Sequence, residues 1–156
     1  MTRKILLKII LAIQAVNIVA CQANGSESAK QPILKVRATQ FSDEQLKKQY
    51  WYFNDENGNE VLHGPYLSWH TTGAIAEQGY YRLGKRHGVN VYYDKQGNSW
   101  QLIEFKNGVP HGRHIEWYPN GKLRLEYSFT QGKHSGPFRK WSADGILLEE
   151  GIIEAP

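Results

Sequence analysis

From Tyr50 onward, apolar and polar positions alternate with period two in short runs that turn-forming residues cut off. In "PYLSW" (65–69) the positions Leu67 and Trp69 alternate with Tyr66 and Ser68, and the same beat returns as Val91/Tyr93, Ile115/Trp117 and Arg139/Trp141. The interruptions are "TTG", "KQG", "PNG" and "ADG" at one end and "LGKRHG", "NGVPHG" and "QGKHSG" at the other. Aligning the chain on its "HG" pairs gives segments 63–86, 87–110, 111–134 and 135–156, with a period of 24 and no gap. Gly64, Gly88, Gly112 and Gly136 share one phase, Gly73, Gly97, Gly121 and Gly145 a second, and Gly84, Gly108 and Gly132 a third. Each unit holds two strands and two turns. The pattern predicts an all-β fold, an elongated antiparallel meander of β-hairpin repeats in which each hairpin packs only on its neighbours.

The alternation also predicts sidedness. One face collects Leu67, Trp69, Val91, Tyr93, Ile115 and Trp117 from the first strands, with Ile75, Tyr81, Ile103, Phe105, Tyr127 and Phe129 from the second. This face is expected to be largely buried. The opposite face takes Ser68, Asn90, His114, Glu116, Gln78, Glu104 and Glu126, with Tyr66, Tyr92, Trp100 and Phe138 among them. Exposed aromatics on a polar sheet face suit a protein partner or stacking on sugar rings, so Tyr66, Tyr92, Trp100, His114 and Phe138 form the candidate binding surface.

The chain before the repeats is less regular. "ILKVRATQ" (33–40) alternates and predicts a short strand, whereas "SDEQLKKQ" (42–49) sets Ser42 three residues before Gln45, a capping-box spacing that predicts one or two helical turns. "YWYFNDENGNEV" (50–61) reads as a degenerate half-unit with Gly58 at its turn. "QANGSESAKQ" (22–31) is small, polar and free of aromatics, which suits a tether. The expected organisation is a leader at 1–20, a tether at 21–32, a capping segment with the half-unit at 33–62, and the repeats at 63–156.

Charge redirects attention to the first twenty residues. The whole chain carries a formal +4, but Arg3, Lys4 and Lys8 lie in "MTRKILLKIILAIQAVNIVA", whose apolar run from Ile9 to Ala20 fits a secretory signal. Without it, sixteen Lys and Arg face fifteen Asp and Glu. A nearly neutral chain gives no electrostatic footprint for nucleic acid. The single cysteine, Cys21, directly follows this run, and "IVAC" (18–21) resembles the lipobox of bacterial lipoproteins. That resemblance implies lipidation at Cys21, a membrane anchor and residence in the cell envelope. Gln22 rather than Asp after the cysteine implies the outer membrane, with the body facing the periplasm.

"WYPNG" followed by "YSFTQGKHSG" resembles the bacterial variant of the MORN repeat, over about 63–156. The resemblance implies a hairpin-repeat sheet with a scaffold or interaction role. The units at 63 and 87 depart from it in "HTTG" and "YDKQG", and the last stops before its third glycine.

Catalytic and metal readings fare poorly against spacing. His63, His87 and His111 recur in phase, but equivalent positions on successive hairpins lie about 9–10 Å apart, two strand spacings. Nitrogen ligands need to be about 2 Å from one zinc ion. The histidines are therefore expected to serve the turns, and no metal or cofactor is expected. No Gly-x-Ser-x-Gly elbow occurs, and Glu149 and Glu150, adjacent on a strand, point to opposite faces. The expectation is a non-catalytic, lipid-anchored envelope protein whose sheet binds an envelope protein, through its polar-aromatic face or an open end strand. The alternative is a carbohydrate or peptidoglycan binder using Tyr92 and Trp100.

Overall fold

The computed structural model describes residues 32–154. The expected leader, the lipidation expected at Cys21 and most of the expected tether lie outside the described residues. Among the described residues eleven strands form one sheet: β1 (Lys35–Gln40), β2 (Leu46–Asn54), β3 (Glu60–Trp69), β4 (Ile75–Arg82), β5 (Lys85–Arg86), β6 (Gly88–Tyr93), β7 (Ser99–Lys106), β8 (Val109–Trp117), β9 (Leu123–Thr130), β10 (Lys133–Trp141) and β11 (Leu147–Ile153). Their order in space follows the chain, every pairing is antiparallel, and β5 and β6 are two halves of one strand that both pair with β4. The all-β hairpin meander read from the sequence is thus the observed fold, with no helix among the described residues.

Two kinds of turn alternate. At one end, His70–Ala74, Asp94–Asn98, Tyr118–Lys122 and Ser142–Ile146 close loops in which the first residue's N–H donates to the last residue's carbonyl, with the glycine at positive φ. At the other end the turns are two-residue: Leu83-Gly84, Asn107-Gly108 and Gln131-Gly132 have φ of 50 and 77°, 53 and 87°, and 51 and 82°. Positive φ at both central residues defines the type I′ turn, whose twist matches that of paired strands.

The "HG" glycines are not part of these turns, contrary to the expectation that Gly112 and its copies bracket a strand. Gly64, Gly112 and Gly136 lie inside β3, β8 and β10. There the glycine-bearing strand carries two extra residues: His63–Pro65 face Trp51 alone, and His111–Arg113 face Glu104 alone. Positive φ at the bulge calls for glycine, and at Gly64 and Gly112 a Cβ would also press on the Trp51 side chain and on Glu104. Tyr81, Phe105, Phe129 and Ile153 stand in register across from Gly64, Gly88, Gly112 and Gly136.

A second bulge recurs with the repeat and overturns the expected faces. Between the pairs Ser68↔Glu77 and Trp69↔Ile75 one residue, Ala76, has no partner; Trp100, Arg124 and Leu148 occupy the same place in the next units. An extra residue flips the parity of the remainder of its strand. Tyr81, Ile103, Phe105, Tyr127 and Phe129 therefore join Tyr66, Asn90 and His114 on one face, while Gln78, Glu104 and Glu126 join Leu67, Val91 and Ile115 on the other.

Burial shifts accordingly. A single layer cannot sequester one whole face, and Tyr52, Tyr66 and Leu67 are the buried hydrophobics among the described residues. The least accessible polar side chains are Gln49 and Asn90, both at 0 %, His114 at 5 % and Ser135 at 6 %. Tyr66, Asn90, His114 and Phe138 occupy one phase of the repeat. They form a row facing Gly79, Ile103, Tyr127 and Gly151, so that the expected polar face carries the central packing.

The helical turns expected at 42–49 are absent. Phe41–Gln45 is a turn with Glu44 at φ 66° and the Asp43 carboxylate accepting the Gln45 N–H, and Leu46 already begins β2. Pairing of β2 with strands on both sides outweighs a local capping pattern.

Candidate interaction surface

The repeat builds two ladders of hydrogen bonds along the sheet ends. At the two-residue turns, the Gly84, Gly108 and Gly132 N–H groups donate to the carbonyls of Leu62, Arg86 and Pro110 at 2.8, 2.8 and 2.9 Å. Beside them, Nδ1 of His63, His87 and His111 accepts the N–H of Leu83, Asn107 and Gln131 at 3.4, 3.5 and 3.5 Å. The recurrent histidines thus tie each bulge to the next turn. The fourth unit has Ser135 in this phase, and Ala155-Pro156 where the turn pair would fall. At the opposite end, His70 and Thr72 donate to the carbonyls of Tyr93 and Lys95, and Tyr118 and Asn120 donate to those of Trp141 and Ala143.

The aromatic-polar face divides into two clusters. Around the first bulges, the Arg86 guanidinium donates twice to Glu77 Oε1, at 3.1 and 2.9 Å, and stacks over Tyr81 and Phe105. Asn90 Nδ2 donates to the same oxygen at 3.4 Å. Tyr66 packs on Tyr81, and burial together with the Glu77 carboxylate pushes its hydroxyl up to about 12. In the second cluster, His114 lies flat on Tyr127, with ring centres 4.4 Å apart and planes 16° apart. Its Nε2–H donates to Glu116 Oε1 at 3.0 Å, and Arg124 donates to Glu116 Oε2 at 2.8 Å. His114 Nδ1 has no partner among protein atoms. Burial lowers the His114 pKa, more than the adjacent Glu116 raises it, so the ring is held neutral.

The candidate residues separate on this map. Tyr66 at 9 % and His114 at 5 % belong to the interior row rather than to a free surface, which corrects their assignment. Phe138 is half-buried, its ring resting on Gly151. Tyr92 is half-buried and tilts against Trp100, ring centres 6.1 Å apart. Trp100, on its bulge, is 44 % exposed and is the one candidate that presents a large open ring. The Glu77–Arg86 pair escaped the sequence reading. Its signal was faint, since the same phases hold Gln101 and Leu125 for Glu77 and Pro110 and His134 for Arg86.

Among the described residues, no three His, Cys, Asp or Glu side chains converge as a metal ion would require. No helix there is long and apolar enough to cross a membrane. The model of the MORN repeat variant matches residues 110–131, which covers nearly all of β8, its loop and β9. No curated protein matches the chain. A MORN-variant unit set in a continuous repeat sheet fits an interaction scaffold.

Proposed function

We propose that this chain is a non-catalytic, lipid-anchored scaffold of the cell envelope whose repeat sheet binds a protein partner. The observation that carries the scaffold reading is the sheet itself. Among the described residues it is a single layer with two open edge strands, and Arg86–Glu77, Arg113–Glu104 and Arg124–Glu116 pair across its strands. The anchor rests on the lipobox-like "IVAC" and on Cys21, and the outer membrane on Gln22. An acylated Cys21 gains about 0.8 kcal/mol for each buried methylene, and two or more chains anchor stably. The experiment is metabolic labelling with a radioactive fatty acid. Wild type should carry label and sediment with membranes, and Cys21→Ser should lose both. Label that persists in the variant would exclude the anchor.

Glycan binding is the second reading, and one contact favours it. Trp100 stands exposed against Tyr92 on a bulge, an aromatic pair suited to a sugar face. Purified sacculi should retain the chain on this reading and let it pass on the first.

A further inference from the structure

Within the described residues the sheet ends in two unpaired strands, β1 and β11. Seven of the twelve exposed large hydrophobics there sit at or beside them: Ile33, Leu34 and Val36 at one end, Ile146, Leu147, Leu148 and Ile152 at the other. Apolar edge strands with free N–H and carbonyl groups are templates for pairing. The charges at the two ends are opposite. β1, "KVRATQ", carries Lys35 and Arg37 and no acid, whereas β11, "LLEEGII", carries Glu149 and Glu150 and no base.

We propose that a second copy of this chain is the partner at these edges, β11 of one copy pairing with β1 of the next, head to tail. The inference rests on reading the chain as an interaction scaffold and names one partner for it. Strand parity supports it. The path β1-β2-β3-β4-β6-β7-β8-β9-β10-β11 holds an even number of strands, so β1 and β11 run in opposite directions. A copy moved along the sheet without turning over therefore meets its neighbour antiparallel. The faces agree as well. Arg37 pairs with Tyr50, and successive cross-strand partners lead from Tyr50 across the sheet to Lys140 and Glu149, so Arg37 and Glu149 share a face. The register that sets Arg37 opposite Glu149 also sets Leu34 opposite Ile152 on the other face. Pairing β11 with β11, or β1 with β1, would bring like charges together, which is unfavourable across strands. Such a head-to-tail contact does not close on itself and yields open chains.

The test uses the full chain in detergent micelles, its mass followed by light scattering over a concentration series. The mass should climb without levelling at a dimer, and added salt should lower it. Ile152→Lys, at a position 78 % exposed, should keep the fold and weaken association about tenfold. Glu149→Lys should weaken it too, and adding Lys35→Glu, the diagonal neighbour of Glu149 in this register, should restore part of the loss. For register, Leu34→Cys protein mixed with Ile152→Cys protein should give a disulfide-linked pair that neither forms alone. A mass fixed at monomer or at dimer, or equal disulfide yield in the separate and mixed samples, would overturn the proposal. A chain that stays monomeric but crosslinks to a different envelope protein would overturn this pairing while leaving the scaffold reading in place.

Discussion

Gly79 sits in register across from Tyr66, and a Cβ built on it would lie 2.3 Å from Asn90 Nδ2 and 2.7 Å from Asn90 Cγ. Its backbone is ordinary extended strand, so Gly79→Ala introduces no φ strain and tests packing alone. To reach normal contact, Asn90 must retreat by about 1 Å. It has nowhere to go, being 0 % exposed and bonded to Glu77, itself held by Arg86. Overpacking of this kind costs about 1–3 kcal/mol, against about 0.5–1 kcal/mol recovered from alanine's better strand backbone. The midpoints of the two ranges leave a net destabilisation of about 1 kcal/mol. Asn90→Ala alone should cost about 1 kcal/mol, because the carbonyl oxygen it removes has no partner. In the double variant the clash is gone, so its loss should fall short of the summed single losses by at least about 1 kcal/mol. Urea denaturation of the four proteins reads this cycle. Gly151 provides the contrast three repeats on. Its Cβ would meet the Phe138 ring at 2.7 Å, but Phe138 is only half-buried beside the edge strand and can turn aside. Gly151→Ala should therefore cost less than Gly79→Ala. Strict additivity in the cycle would refute the interdigitated row.

Other consequences are more local. Leu83 occupies a type I′ position at φ 50° and is 60 % exposed, while Asn107 fills the equivalent place one unit on, so Leu83→Asn should raise stability by about 0.5–1 kcal/mol in urea melts. The neutral, buried His114 binds a proton less readily folded than unfolded. Stability should therefore fall as pH drops below the ordinary histidine range, and His114→Phe should flatten that slope. Tyr66 behaves inversely: the unfolded hydroxyl ionises near pH 10 and the folded one only at about 12. Between those values stability should decline by about 2 kcal/mol, a loss that Tyr66→Phe removes. Trp100→Ala should leave the melting curve within about 0.5 kcal/mol of wild type, since its ring is the exposed residue of a bulge.

The repeat was legible because glycine and aromatic phases recur every 24 residues, and each corresponds to a fixed backbone event, a turn or a bulge. The faces of the second strands were not legible. Ala76, Trp100, Arg124 and Leu148 share no chemistry that would announce an unpaired residue, yet each inverts the parity of its strand. Tyr66 and His114 were misplaced as a consequence. The simple alternation surrounds them with polar neighbours, whereas the inverted parity sets Gly79 and the flat Tyr127 ring across from them and Tyr81 and Phe129 beside them, so they sink into the layer. The role of the histidines was half visible. Spacing argued that one ion could not join His63, His87 and His111, whereas the reach of each Nδ1 to a backbone N–H twenty residues later required the register.

The scaffold claim is tested most directly by photo-crosslinking in intact cells. A photoreactive residue is placed in turn at Trp100, at Ile152 and at Gln96, an exposed loop position that serves as control. Discrete adducts, identifiable by mass spectrometry, are expected at Trp100 or Ile152 and absent at Gln96. The same diffuse adducts at all three positions would contradict the scaffold claim.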